Sequence, residues 1–144
     1  MELQLATDGC AGSEREVVYL EHVQVKVSLA YSRRGDLQLH LFSPAGTPST
    51  LLPRRKDDYQ PGKLDAWYFL SVFYWGERPN GTWTLILENV GSELNAGNVE
   101  ESYSCIEAEF VGYSEWFLGL SHWVIIKLVV TSTKEVMLLL VLVN

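Results

Sequence analysis

The sequence is poor in the residues on which disulfide-rich modules and metal sites depend. It has two cysteines, Cys10 and Cys105, which excludes a disulfide-dense small module and a four-cysteine zinc site. Its three histidines are His22, His40 and His122, and they are too far apart to form any of the short spacings of metal-binding motifs. We therefore predict no metal or cofactor site in this chain.

Positive charge is also scarce. Eleven lysines and arginines stand against 18 aspartates and glutamates, which gives a net charge of −7. A domain that binds nucleic acid normally carries a basic face. The acidic balance therefore argues against nucleic acid as a partner.

The sequence shows no leader-like segment and no long uninterrupted apolar run. Residues 1–8 contain neither a basic region nor seven consecutive apolar residues, so we predict no signal peptide within this sequence. Two apolar runs, 116–130 and 136–143, lie towards the C-terminus. Lys127 interrupts the first, and the polar residues 131–135 separate it from the second. Neither run reaches the 18 uncharged residues of a typical membrane helix, so a membrane span is disfavoured.

The composition changes after Asn98. All five prolines and all six arginines precede residue 99, whereas the last 46 residues contain six glutamates and only two glycines. The length of 144 residues favours a single domain. We therefore predict an N-terminal stub at 1–7, one domain at 8–98, and a divergent apolar tail at 99–144.

The domain has the pattern of β-structure. Apolar and polar residues alternate strictly over Val23–Leu29 and again over Leu37–Leu41, which is typical of half-buried strands. The residues between them, 32–36, favour a turn, so we predict that the two strands form an antiparallel hairpin. Together with the regularly spaced Pro/Gly turns, the pattern predicts an all-β chain folded as an antiparallel β-sandwich or jelly roll.

An aromatic run follows at Trp67–Trp75. Large apolar residues occupy both parities, which is typical of a strand buried on both faces. We therefore expect Trp67, Trp75 and the later Trp83 to lie in the core; the alternative is that they line a ligand or carbohydrate groove. Arg78–Gly81 is predicted to form a turn, and its Asn-Gly pair is a strong hairpin signal.

Seven short segments of this domain form an ordered set: 10–12, 19–23, 31–37, 41–47, 49–52, 75–77 and 81–85. In order and spacing they resemble the P domain (Homo B domain) of the subtilisin/kexin-like proprotein convertases. The start at residues 8–12 and the Trp-Gly-Glu tripeptide are most similar to the seventh convertase type or a related paralogue.

The resemblance implies a β-sandwich that docks on a calcium-dependent, subtilisin-like serine protease domain and stabilises it. It also implies a parent enzyme of the secretory pathway that cuts precursors after paired basic residues. None of the protease motifs is present, so no catalytic residue is transferred to this chain. The match stops near Asn98, and we therefore predict a domain that lacks its last strand. The alternative function is a stand-alone secreted adhesion or carbohydrate-binding module.

Three surface motifs remain. Asn80-Gly-Thr82 is an N-glycosylation sequon in a turn. Arg34-Gly35-Asp36 matches the integrin-binding tripeptide, but we favour an ordinary turn with a solvated charge pair. Residues 54–56 (Arg-Arg-Lys) form a tribasic stretch, for which we favour a solvated loop over a cleavage site.

The cysteines are the last candidate site. In the family, the cysteine that matches Cys10 pairs with one in an upstream connector that this sequence does not contain. Two alternatives stay open for Cys10: a bridge to Cys105, or no disulfide within this chain.

Overall fold

The computed structural model describes residues 1–12, 16–31, 33–91, 105–115, 121–131 and 136–139. These residues contain one short 3₁₀ helix, Arg34–Asp36, and otherwise β-strands joined by turns. The strands are β1 (Glu2–Thr7), β2 (His22–Tyr31), β3 (Leu37–Phe42), β4 (Pro48–Leu52), β5 (Gly62–Ser71), β6 (Gly81–Asn89), β7 (Cys105–Glu115), β8 (Ser121–Thr131) and β9 (Val136–Leu139).

The strands form two antiparallel sheets. The four-stranded sheet has the order β1-β6-β3-β4, and the five-stranded sheet has the order β5-β2-β7-β8-β9. The predicted all-β antiparallel fold is confirmed. In the part of the chain that the structure describes, no helix is both long and apolar enough to cross a membrane.

The core lies between the inner faces of the two sheets. Val23, Val25 and Val27 of β2 are at most 2% exposed, and Leu39 and Leu41 of β3 are completely buried. The polar residues between them are only half-buried, as the period-two pattern predicts. The buried apolar set is completed by further residues of all the strands from β1 to β6 except β4 and of the segments 17–20 and 74: Leu3, Leu5, Val17, Leu20, Leu29, Tyr31, Leu37, Phe69, Tyr74, Trp83, Leu85 and Leu87.

The predicted hairpin between β2 and β3 is wrong, because the two strands belong to different sheets. The 3₁₀ helix between them holds the crossing through Asp36, which is 1% exposed and ion-paired with Arg33 at 3.0 Å and with Arg54 at 3.5 Å. Period two shows which face of a strand is buried. It does not show which strand lies beside it, so an arch between sheets and a hairpin within one sheet have the same sequence pattern. The predicted turn at 78–81 is also displaced: the turn lies at 73–76, and the chain that follows it leads from β5 to β6, which belong to different sheets.

The prediction that Trp67–Trp75 is a strand buried on both faces is also wrong. Strand β5 ends at Ser71, and residues 73–76 form a turn. Within β5, Phe69 and Ser71 are buried, but Tyr68 and Leu70 are more than half exposed. The physical reason is that a two-layer sandwich covers only the inner face of each sheet, and Tyr68 and Leu70 alternate with the inward-facing Phe69 and Ser71.

Segments outside the predicted domain also contribute strands. Within the stub at 1–7, β1 pairs with β6, and Glu2 lies opposite Ile86. Within the tail, β7 pairs with β2 from His22 to Val27, then β8 pairs with β7, and β9 with β8. Strand β7 therefore occupies the edge of β2 that a sheet without its last strand would leave open.

Candidate functional site

The largest apolar residues on the described surface follow one another at the end of β5 and in the turn after it. We call this set the β5 apolar surface. Soluble domains rarely expose so many large apolar side chains together, and such sets mark interaction sites. Its members are Tyr68, Leu70, Val72, Phe73 and Trp75, each between 55% and 70% exposed.

The turn that presents Phe73 and Trp75 is anchored on its inner side by Tyr74. The Tyr74 side chain is completely buried, and its hydroxyl donates a 2.8 Å hydrogen bond to the carbonyl oxygen of Leu41. Its ring packs edge-to-face against Trp83, with 5.0 Å between ring centroids. Burial raises the pKa of Tyr74 well above its ordinary value. The exposed side chains of Phe73 and Trp75 therefore project from a turn whose central residue, Tyr74, is fixed in the core.

Backbone hydrogen bonds hold the same turn to the neighbouring segment. The Gly76 amide donates to the Leu20 carbonyl at 2.7 Å, and the Leu20 amide donates to the Glu77 carbonyl at 2.8 Å. The Thr47 hydroxyl reaches across to donate to the Glu77 carboxylate. A turn held on both sides can present apolar side chains without collapsing onto the core.

Of the three tryptophans expected in the core, one is buried and two are exposed. Trp83 is 3% exposed and donates its indole N–H to the Pro79 carbonyl at 3.0 Å, as a core tryptophan should. Trp67 and Trp75 are 57% and 67% exposed, so the prediction of a core position is wrong for both. The one sequence signal for exposure was the turn chemistry of residues 76–81, which directly follow the aromatic run.

The Arg34–Asp36 tripeptide is part of the scaffold. The prediction of a solvated charge pair is wrong, because the Asp36 carboxylate is buried against two other arginines. Arg34 binds Asp58 instead, with its Nε 3.0 and 2.9 Å from the two carboxylate oxygens. This hydrogen bond holds the pKa of the Asp58 carboxyl below its ordinary value of 3.8.

The turn at residues 34–36 has room only for a glycine at position 35. A Cβ there would lie 2.2 Å from the Asp58 carbonyl oxygen and 2.3 Å from that of Arg55. The tribasic loop therefore crosses directly over the 3₁₀ helix, and the Arg55 amide donates to the Gly35 carbonyl at 2.8 Å. The side chains of residues 54–56 are exposed, but their backbone is tied to the fold.

The sequon lies on the surface. Asn80, Gly81 and Thr82 are all exposed, between the turn and the start of β6. Cys10 lies in a turn after β1, partly buried against the core, with a φ of +58°. Cys105 begins β7. Use of the sequon and the disulfide alternatives remain predictions.

The histidines are placed apart. His40 of β3 contacts the Thr50 hydroxyl through Nδ1 at 3.1 Å and lies 3.8 Å from Glu88. His22 begins β2, and position 122 falls in β8, which β7 separates from β2 in the same sheet. Over the ranges described, no three histidine, cysteine or acidic residues come together as a metal site would require.

The family "Proprotein convertase P-domain" matches residues 20–102, more than half of the chain, and the chain belongs to this family. The resemblance seen in the sequence is thereby confirmed.

Curated relatives agree with this assignment. The chain is 45% identical over 106 residues to "Endoprotease bli" of Onchocerca volvulus, which covers 74% of this chain and 15% of that protein. It is 48% identical over 100 residues to "Neuroendocrine convertase 2" of Sus scrofa (69% and 16%) and 41% identical over 99 residues to "Furin" of Mus musculus (69% and 12%). The chain thus spans about one sixth or less of the length of these relatives.

Among solved structures, the chain is similar to the serine protease of Aeromonas sobria. The match covers 78% of this chain and 21% of that protein, with a TM-score of 0.45 and 23% identity.

Proposed function

We propose that this domain is the non-catalytic accessory domain of a subtilisin-like serine endopeptidase, and that it stabilises a protease domain in cis through the β5 apolar surface. The observation that supports this most is the set of exposed aromatics on a fixed turn. Leaving them in water is unfavourable unless a partner covers them.

The size of the surface suits a stable domain contact. An aromatic side chain buries about 150–250 Å² when fully covered. Tyr68, Phe73 and Trp75 are each more than half exposed, so a partner would cover roughly 300–450 Å² of them. A standard interface buries about 800 Å² on each side, with its apolar part at the centre. The β5 apolar surface is large enough to be that centre.

The other parts of the function are assigned to the protease domain of such a parent. Hydrolysis at paired basic residues needs a nucleophile and a base in contact, and calcium needs a set of oxygen ligands. We assign the calcium to the protease domain of such a parent, as the resemblance to the convertases implies. We assign the parent to the secretory pathway. The adhesion alternative gains no support from the tripeptide, since the Asp36 carboxylate is buried.

Co-expression with a convertase protease domain tests the proposal. The protease domain of mouse furin is secreted without its own P domain, either alone or together with this full chain, and hydrolysis of a dibasic fluorogenic peptide is measured. We expect the chain to raise the yield of active protease. The double substitution Leu70→Ser and Phe73→Ser should abolish the gain, because it removes the apolar contact.

The matched control is Asp65→Ser, which changes an exposed residue of the same strand outside the β5 apolar surface. This variant should retain the full gain. Equal yields with and without the chain would contradict the stabilising role. A gain that survives the double substitution would contradict the assigned surface.

A further inference from the structure

A second feature of the molecule lies outside the β5 apolar surface. Between the inner side of β5 and the facing strands β3 and β4, the two sheets leave a cavity of about 170 Å³. Its walls are four leucines with Phe69 and Trp67, and its remaining lining residues are Gly62 and three cations. None of the five residues of the β5 apolar surface lines it, but Trp67, which does, directly precedes Tyr68 in β5.

The three cations are Arg34, Arg55 and Lys63. They give this end of the domain a local positive charge, although the chain as a whole carries −7. Gly62 makes room for the first of them, because a Cβ at that position would lie 2.4 Å from Cδ of Arg34. The cationic lining is therefore a built feature of the fold.

The three cations differ in how many ion pairs and hydrogen bonds they make with other residues. Arg34 is held by both oxygens of Asp58, and Arg55 shares Asp58 at 3.4 Å and donates to the Arg34 carbonyl at 3.0 Å. Lys63 has only Asp65, 3.5 Å away, and both side chains are more than 65% exposed. An exposed pair of this kind contributes almost nothing to stability. Lys63 can therefore turn towards a ligand at little cost.

We propose that this cavity binds a carboxylate that carries an apolar tail of about five carbons. An apolar cavity of about 150 Å³ in another protein takes up benzene, so a space of 170 Å³ suits a tail of this size. The tail lies against the leucines and Trp67, while the carboxylate binds Lys63 with Arg55 beside it. A cationic head would meet like charge at the rim, and a neutral head would gain no charge-assisted hydrogen bond from Lys63.

Titration of the full chain with hexanoate tests this proposal. The probe is the nuclear magnetic resonance signal of the Trp67 indole N–H, assigned by comparison with Trp67→Phe. We expect a saturable shift with hexanoate and a much weaker response to 1-hexanol and acetate. Each methylene removed should weaken binding about fourfold, so butanoate should bind roughly 16-fold more weakly.

Two lysine variants separate the site from general charge effects. Lys63→Gln should weaken hexanoate binding roughly tenfold, as loss of a charge-assisted hydrogen bond does, and should leave hexanol binding unchanged. Lys56→Gln is the matched control, because Lys56 is an exposed cation of the neighbouring loop that does not line the cavity. It should leave both ligands unaffected.

The same carboxylate chemistry has two sources, a free fatty acid or the C-terminus of a peptide. Acetyl-Gly-Gly-Leu with a free carboxylate, compared with its amide, distinguishes them: tighter binding than hexanoate identifies a chain end, and weaker binding a fatty acid. Three results would overturn the proposal: no saturable shift at tens of millimolar, equal affinity for hexanoate and hexanol, or equal effects of the two lysine variants.

Discussion

The hydroxyl oxygens of Ser49 and Ser71 lie 2.8 Å apart in the buried space between the two sheets. Ser49 is on β4 and Ser71 is on β5, and these strands are the edges of their respective sheets. The bond therefore joins the two layers where neither edge has an outer strand to support it. Ser71 has a second role, because its hydroxyl also accepts the Phe73 amide hydrogen at 3.3 Å.

Alanine substitutions at this pair should be unequal and coupled. Ser71→Ala leaves both the Ser49 hydroxyl and the Phe73 amide without their partner, at a cost of about 1–3 kcal/mol. Ser49→Ala should cost less, because Ser71 keeps the Phe73 amide. The double variant should lose less than the sum of the two, since neither hydroxyl is then left unpaired. Urea unfolding of all four proteins measures this; strictly additive losses would contradict the direct bond.

Alkaline pH should destabilise the chain through Tyr74. Burial raises the pKa of Tyr74 above its ordinary value of 10.0, whereas the unfolded chain releases the proton near that value. The stabilisation that the neutral Tyr74 side chain provides is therefore complete below pH 10, and it is lost as the pH rises above that value. Tyr74→Phe should lower stability by about 1 kcal/mol at pH 8, through loss of the hydrogen bond to Leu41, and should weaken the alkaline decline.

The measurement is the free energy of unfolding of both proteins in urea from pH 8 to pH 11. The other tyrosines contribute equally to both, so the difference between the two curves isolates Tyr74. Curves that run parallel through pH 10 would contradict a buried, neutral phenol at this position.

Gly35→Ala should destabilise the domain more than an alanine at a glycine in open space. The new Cβ would meet two backbone carbonyl oxygens closer than 2.5 Å, so the crossing loop must shift, at a cost of about 3 kcal/mol. Gly46→Ala is the control: nothing lies within 4 Å, and its φ of +84° costs roughly 1 kcal/mol. Thermal unfolding ranks the two. If Gly46→Ala unfolds first, the loop does not cross at Gly35.

Asn80 should carry a glycan when the chain is expressed with an added signal peptide. The Asn80-Gly-Thr82 sequon is fully exposed, so the transferase can reach it. Glycosidase treatment should lower the mass of the wild type, and Asn80→Gln and Thr82→Ala should both abolish that shift. Asn89→Gln, at an asparagine outside any sequon, should leave it unchanged. A wild type with no mass shift would show that the sequon is unused.

Removal of residues 99–144 should open the five-stranded sheet at β2. Strand β7 pairs with β2 over six residue pairs, from His22↔Tyr113 to Val27↔Ala108. Without it, the backbone groups on that edge of β2 lose their partners. Hydrogen exchange of the Val23–Val27 amides should be much faster in residues 1–98 than in the full chain. Equal exchange rates would contradict the pairing of β7.

The sequence predicted the positions of the strands well, but it did not predict which strands lie side by side in a sheet. The alternating runs at Val23–Leu29 and Leu37–Leu41 are strands to within two residues at each end, because alternation is a local property. Sheet membership is not local: it depends on where the chain crosses between layers, here at the buried Asp36.

The candidate site shows the same limit. The aromatic residues after Trp67 suggested burial, because large apolar side chains are usually inside. Exposure of Phe73 and Trp75 follows from the end of β5 at Ser71 and from the turn built on Tyr74, and both depend on tertiary contacts. The cavity was also missed, since its cations come from the 3₁₀ helix, the tribasic loop and β5, which are separated in sequence. By contrast, seven short ordered segments were enough to indicate the family.

The pairing of β1 with β6 has a consequence for the order of events during synthesis. Residues 2–7 leave the ribosome before the rest of this domain, yet their partners are residues 81–86, so β1 waits for most of the domain before it can enter a sheet. Pairing between residues so far apart in sequence slows folding, because the entropy of closing the long connecting chain is lost before the stabilising contacts form. During that interval the other edge of β6 can already pair with β3, which gives β1 a ready template. The N-terminal strand therefore closes the four-stranded sheet last, although it is made first.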